Sequence, residues 1–173
     1  MRIYIIGVSG SGKSTLAKQL AHRLDYPHIE LDEYRFLPGW IKRSEDEFIR
    51  LVKEKTNIKN WITCGNEDSS LQDYLMTAAD KIIWLDYSLL LILYRTFTRT
   101  LKRIILKQPC CNGNFETFYQ QFLSDKSVLW WVIKTYKKRK QEYTVLTEAP
   151  MFCDKVIRIT SSKEVDSLTL KLI

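Results

Sequence analysis

The segment Gly7-Val8-Ser9-Gly10-Ser11-Gly12-Lys13-Ser14-Thr15 limits what this chain can fold into more than any other part of it. It completes the P-loop pattern GxxxxGK[ST], in which consecutive backbone N–H groups turn inward onto phosphate oxygens. The apolar run Ile3-Tyr4-Ile5-Ile6 precedes it, and Thr15 to Leu24 follows with Leu16, Leu20 and Leu24 at fourfold spacing. Strand, glycine loop and helix therefore come in the order the motif requires. Gly7, Ser9, Gly10, Ser11, Gly12, Lys13, Ser14 and Thr15 are expected to surround a nucleoside triphosphate. Within that set Lys13 reaches the β- and γ-phosphates and Ser14 offers a hydroxyl to Mg²⁺.

At 173 residues the chain suits a single domain, 1–173, and no Pro/Gly/Ser-rich stretch divides it. Its four cysteines, Cys64, Cys110, Cys111 and Cys153, form no CxxC pair, and the start reads as a strand rather than a signal peptide, so a reduced cytoplasm is the expected setting. The longest apolar run, Leu89 to Leu93, is too short to cross a bilayer. The net charge of +7 is unevenly spread. Arg95, Arg99, Lys102, Arg103 and Lys107 lie between Ser88 and Phe115 with no acid among them, and Lys134, Lys137, Lys138, Arg139 and Lys140 form a second group. Two basic segments on an otherwise acidic body point to a concentrated anion, phosphate above all.

Further along, Pro27 to Asp32 reads as a second strand with Asp32 and Glu33 at its carboxyl end, followed by a loop through Pro38-Gly39-Trp40. Ser44-Glu45-Asp46-Glu47 is a capping box that opens a helix to about Thr56. Trp61 to Cys64 and Lys81 to Asp86 read as strands on either side of a short helix at about 71–77. Near-continuous apolar strands separated by helices imply a parallel sheet covered on both faces. From Ser88 a long helix is expected, with Leu90, Leu93, Phe97, Leu101 and Ile104 on the packed side and the arginines opposite. Gln108 to Asn114 breaks it, a short helical stretch at 115–123 follows, and then come a long helix from Ser127 to about Leu146, a strand at 155–159 and a closing helix capped from Ser161.

The P-loop alone serves many reactions. There is neither an NKxD-like base-reading segment nor a DxxG switch of the common GTPase type. A small frame, an acid after the second strand and an Arg-rich helix leading into an insertion suit phosphoryl transfer to a small acceptor, with a lid that excludes water. Asp32 sits where ligands of open α/β sheets gather and is the candidate to orient or deprotonate an acceptor hydroxyl, with a share in Mg²⁺ binding. Arg95, Arg99 and Arg103 recur every fourth residue with no acid to pair along the helix, so contact with the transferring phosphate is the favoured reading over a solvated face.

Tyr4 to Gly7 with the P-loop, His28-Ile29-Glu30-Leu31-Asp32, Trp61 to Asn66, Ile82 to Tyr87, Arg95 to Arg103, Asn112-Gly113-Asn114 and Trp130 to Tyr143 together resemble the small adenylate-kinase-like P-loop kinases, a group that includes bacterial topology-modulation proteins. The likeness covers nearly the whole chain. It implies a three-layer α/β/α domain with a parallel sheet of about five strands, ATP and Mg²⁺ as cofactors, a lid insertion around 104–126, and base contacts near Ser161 and Ser162. The implied activity is ATP-dependent phosphotransfer to a small nucleoside- or nucleotide-like acceptor. One departure stands out: the family pattern reads Asp-Gly-Asn where this chain has Cys64-Gly65-Asn66. A thiol does not replace a carboxylate for a hard ion.

The alternative is a nucleotide-binding regulatory or nucleic-acid-associated protein whose basic helices grip a phosphate backbone, although no nucleic-acid recognition motif is present. Asp86 reads either as a helix cap or as a Walker-B-like acid. His22 and His28 read as a helix-surface and a strand-entry residue, Trp40 reads as core, interface or a wall of an acceptor pocket, and Cys110-Cys111 is at most half of a metal site.

Overall fold

The computed structural model describes residues 1–65, 70–124 and 127–171. The first strand, β1 (Arg2–Gly7), occupies the middle of a five-stranded parallel sheet. Its neighbours are β5 (Trp61–Cys64) and β6 (Lys81–Leu85), with β2 (His28–Glu30) beyond β5 and β7 (Val156–Ile159) beyond β6. The registers Ile3↔Ile62, Ile3↔Lys81 and Ile83↔Ile157 set these strands side by side. A second, antiparallel sheet is only the hairpin of β3 (Phe36–Leu37) and β4 (Ile41–Lys42).

Alternation along β1 divides the core. Ile3 and Ile5 face one layer with Leu16, Leu20, Ile83 and Ile92, whereas Tyr4 and Ile6 face the other with Phe48, Val52, Leu75 and Trp84. Both faces being dry is why the strands read as continuous apolar runs. Helices α1 (Lys13–Leu24) and α7 (Ser162–Lys171) contribute to the first layer, α3 (Glu45–Thr56) and α4 (Ser70–Ala78) to the second. Helix α5 (Leu89–Ile105) joins the first layer through Ile92, and α6 (Val128–Glu148) reaches both, through Val132 and Tyr143. Each fully buried Phe, Leu or Ile of this kind contributes roughly 1.5–3 kcal/mol.

Several expectations are corrected. β2 stops at Glu30, and Asp32 and Glu33 belong to a short helix, α2 (Leu31–Arg35), rather than to a strand end. The loop through Pro38-Gly39-Trp40 is present as the turn of the β3–β4 hairpin, whose short strands were not evident from sequence. Ser44 caps α3 by accepting from the Glu47 amide at 3.4 Å, but the Glu47 carboxylate turns to Arg43 at 2.6 Å, so only half of the capping box forms.

The packed face of α5 is also rotated from the expected one, although Leu93 still lies against the first layer. Its buried line is Ile92, Thr96 and Thr100, with Arg95, Arg99 and Arg103 beside it facing inward; Leu90 is 81% exposed. Phe97 instead packs edge-on against Phe122 of a single π-helical turn, Tyr119–Leu123. Ser88, not Asp86, caps α5, accepting from the Leu91 amide. The nearly buried Asp86 carboxylate receives Arg158 at 2.5 Å and Lys140 at 2.9 Å, so its place is an ion-pair cluster and neither the cap nor a metal acid. In the second basic group Lys140 therefore faces inward, while Lys137 and Lys138 are exposed.

Candidate functional site

Because β2, β5 and β1 run parallel and adjacent, their carboxyl ends open on the same side of the sheet, where ligands of such sheets bind. There the chain leaves β1 and wraps into the P-loop, with the Ser11 amide donating to Val8 O at 3.1 Å. Gly10 has φ +85°, and a Cβ on it would lie 2.0 Å from Thr96 Oγ1. The loop thus lies directly on α5, and only glycine fits between them. Gly12 precedes α1 without a side-chain cap, so the amides of the first helical turn stay open to an anion. The Ser11 hydroxyl is buried with no hydrogen-bond partner among the described residues. Lys13 Nζ donates to Gly7 O at 2.8 Å and to Val8 O at 3.3 Å, and burial lowers its pKa to about 8.

The loop forms one wall of a cavity of about 1920 Å³. Asp32 on α2 lines the same cavity, its pKa raised by burial against the pull of Lys13, Arg99 and Arg103. All three expected arginines line it, but they do different things. Arg95 donates to Ser11 O at 3.1 Å and Ser162 Oγ at 2.7 Å and lies over the Tyr87 ring at 4.7 Å, so it joins the P-loop to the start of α7. Arg103 pairs at 2.9 Å with Glu116, an acid absent from α5 itself and brought in from the following loop. Arg99 has no ion pair among the described residues, and its Nε is buried without a hydrogen-bond partner. Burial and the neighbouring Arg103 lower its pKa.

Trp40 lines the cavity with φ +60°, its amide bonded to Asn114 Oδ1 at 2.8 Å and its indole N–H to Phe115 O at 3.2 Å. Asn112 and Asn114 donate to Phe36 O and Leu37 O, so the turn after α5 clasps the hairpin. Glu30, Glu116 and this clasp were not evident from sequence; the Asn112-Gly113-Asn114 cluster was the one signal of the last. Cys64, at the end of β5, is buried, and its Sγ lies 3.8 Å from Ser14 Oγ and 3.6 Å from His28 Nε2. Burial pushes its thiol up to about 12, so it is neutral at ordinary pH. His28 thus has a partner that sequence spacing did not suggest. Asn66 and the end of the expected lid, 125–126, lie outside the described residues. Among the described residues no cluster of three or more His, Cys, Asp or Glu side chains is arranged for a metal, and no helix is long and apolar enough to cross a membrane.

The model of the AAA domain family matches residues 3–86, from β1 to the end of β6. The uncharacterized protein YqaC of Bacillus subtilis is 38% identical over 65 residues, which is 36% of this chain and 36% of that one. The bifunctional shikimate kinase/3-dehydroquinate synthase of Thermotoga maritima is 35% identical over 72 residues, 38% of this chain and 14% of that protein. The chain thus spans about a third or less of the curated relatives it matches. Over the whole fold it is similar to the shikimate kinase of Bacteroides thetaiotaomicron, with a TM-score of 0.61 and 18% identity over 99% of this chain and 96% of that one.

Proposed function

From a chain with the fold of the small P-loop kinases, we propose an ATP-dependent phosphotransferase acting on a small nucleoside- or nucleotide-like acceptor. The observation that carries this reading is that Arg99, a largely buried cation with no carboxylate partner among the described residues, lines one cavity with Lys13, Ser14 and Asp32. A buried arginine left in that state is stabilised by a ligand that brings negative charge. Likeness to shikimate kinases favours a small hydroxylated acceptor.

In this mechanism the P-loop amides and Lys13 hold the triphosphate, and Arg99 meets the charge on the transferring group. Asp32 takes the proton of the acceptor hydroxyl, and its raised pKa makes it a better base than a free aspartate. Arg95 acts further out, with Ser162, towards the nucleoside end. Ser14 and Asp32 are oxygen donors suited to Mg²⁺, whereas the neutral Cys64 thiol is not. When bound, that ion would offset charge on the phosphate oxygens. The segment around 104–126 is the lid, and Arg103 with Glu116 joins it to α5.

The test is Mg²⁺-ATP consumption with a panel of nucleosides, nucleoside monophosphates and hydroxylated acids, with Lys13→Ala as the blank. Acceptor-dependent ADP formation supports the reading. Tight ATP binding with no stimulation by any acceptor favours a nucleotide-binding regulator instead.

A further inference from the structure

We propose that Cys64 and His28 form a binding site for a thiophilic divalent cation of the zinc class, set against the base of the P-loop. The two side chains come from adjacent strands. Glu30 of β2 is in register with Cys64 of β5, and His28, two residues before Glu30, shares its face. Sulfur and imidazole nitrogen are therefore held by sheet backbone rather than by a loop.

Their separation is 3.6 Å between Cys64 Sγ and His28 Nε2. A tetrahedral zinc ion with bonds of about 2.3 Å to sulfur and about 2.0 Å to nitrogen spans its two ligands by about 3.5 Å. The thiol–imidazole hydrogen-bond contact therefore has the spacing of two ligands on one tetrahedral ion, which would take the place of the shared proton. Ser14 Oγ, 3.8 Å from the same sulfur, is an additional weak donor, and water supplies the rest. Glu30, whose carboxylate is 16% exposed and paired with Lys18 at 3.4 Å, adds negative charge beside the site, with Lys13 opposing it. A thiolate and an imidazole favour zinc or cobalt over magnesium, the ion the oxygen donors would take. On binding, the Cys64 thiol releases its proton to solvent and the sulfur lone pair forms the bond to the metal. A consequence that rests on the proposed function is that this ion draws on Ser14 and so inhibits magnesium-dependent transfer.

The experiment is a Co²⁺ titration of the reduced full chain without nucleotide, followed by visible and near-ultraviolet absorption. One equivalent should give tetrahedral cobalt bands and a thiolate-to-cobalt band, both removed by Zn²⁺. Cys64→Ser should abolish the thiolate band with the fold unchanged by circular dichroism. His28→Ala should weaken binding at least tenfold, and the double change Cys110→Ser/Cys111→Ser should leave the band intact. Absence of a thiolate band, its survival in Cys64→Ser, its loss in the double variant, or unchanged affinity in His28→Ala would each overturn the proposal. No step depends on turnover, so these outcomes are separate from failure of the kinase reading.

Discussion

Glu116 closes an ion pair of 2.9 Å on Arg103 with one carboxylate oxygen, while its other oxygen is buried without a hydrogen-bond partner among the described residues. The side chain is 5% exposed, so this acid is held in the arginine cluster as an incompletely satisfied internal anion. Glu116→Gln should lower ligand-free stability by about 1–3 kcal/mol, because it leaves the partly buried Arg103 without its counter-charge. Millimolar ATP should recover part of the loss. Urea denaturation with and without ATP checks this, and equal losses in both conditions would contradict it.

Arg99→Met should act in the opposite sense. It removes a buried guanidinium that repels Arg103, so the ligand-free protein should be as stable as the parent or more stable by about 1 kcal/mol. The thermal shift produced by ATP should shrink markedly. A destabilised ligand-free variant with a full ATP shift would show that Arg99 is structural.

ATP affinity should fall as pH rises past about 8, where the ligand-free protein loses the Lys13 proton, and binding in that range should take up a proton. Stability runs the other way. The folded-state pKa of Lys13 lies below its ordinary 10.5, so the unfolded chain binds more protons between about 8 and 10.5, and this group makes stability rise with pH across that window. Calorimetry in buffers of different ionisation enthalpy, with Lys13→Met as reference, separates the two effects.

Asp86→Asn should cost about 2 kcal/mol. Removing the acid of a buried pair is expensive, but Arg158 and Lys140 are 44% and 40% exposed and can turn to water. Nucleotide affinity of the folded fraction should be unchanged. A loss of Mg²⁺-dependent binding with stability retained would return Asp86 to the metal.

Asn114→Ala should raise hydrogen exchange at 36–42 and 110–116 together, because Asn114 bonds the Trp40 amide, Leu37 O and Cys111 O at once. Increased exchange confined to the turn would show that the hairpin holds without the clasp.

What could be read from sequence was local. The P-loop, the strands at 61–64 and 81–85 and the capping serine Ser44 depend on neighbours within a few positions. The β3–β4 hairpin did not declare itself, since Ile41 and Lys42 are exposed and their register depends on asparagines more than seventy positions away. The orientation of α5 was hidden by Thr96, which is buried because its hydroxyl bonds back to Ile92 O at 2.8 Å and because Gly10 rests on it. Leu90 and Phe97 therefore mark the wrong face. Likewise the contact of His28 with Cys64 emerges only once β2 and β5 are in register.

The order of the sheet also governs how the protein comes into being. β1 is made before both of its partners, which begin at Trp61 and Lys81, so the strand that carries the phosphate loop remains unpaired until β5, more than fifty residues later, has left the ribosome. Gly10 then settles on Thr96, later still. Competence to hold a nucleotide is therefore a late event in biogenesis, and a nascent or truncated chain that ends before α5 carries the whole motif without the surface that gives it shape.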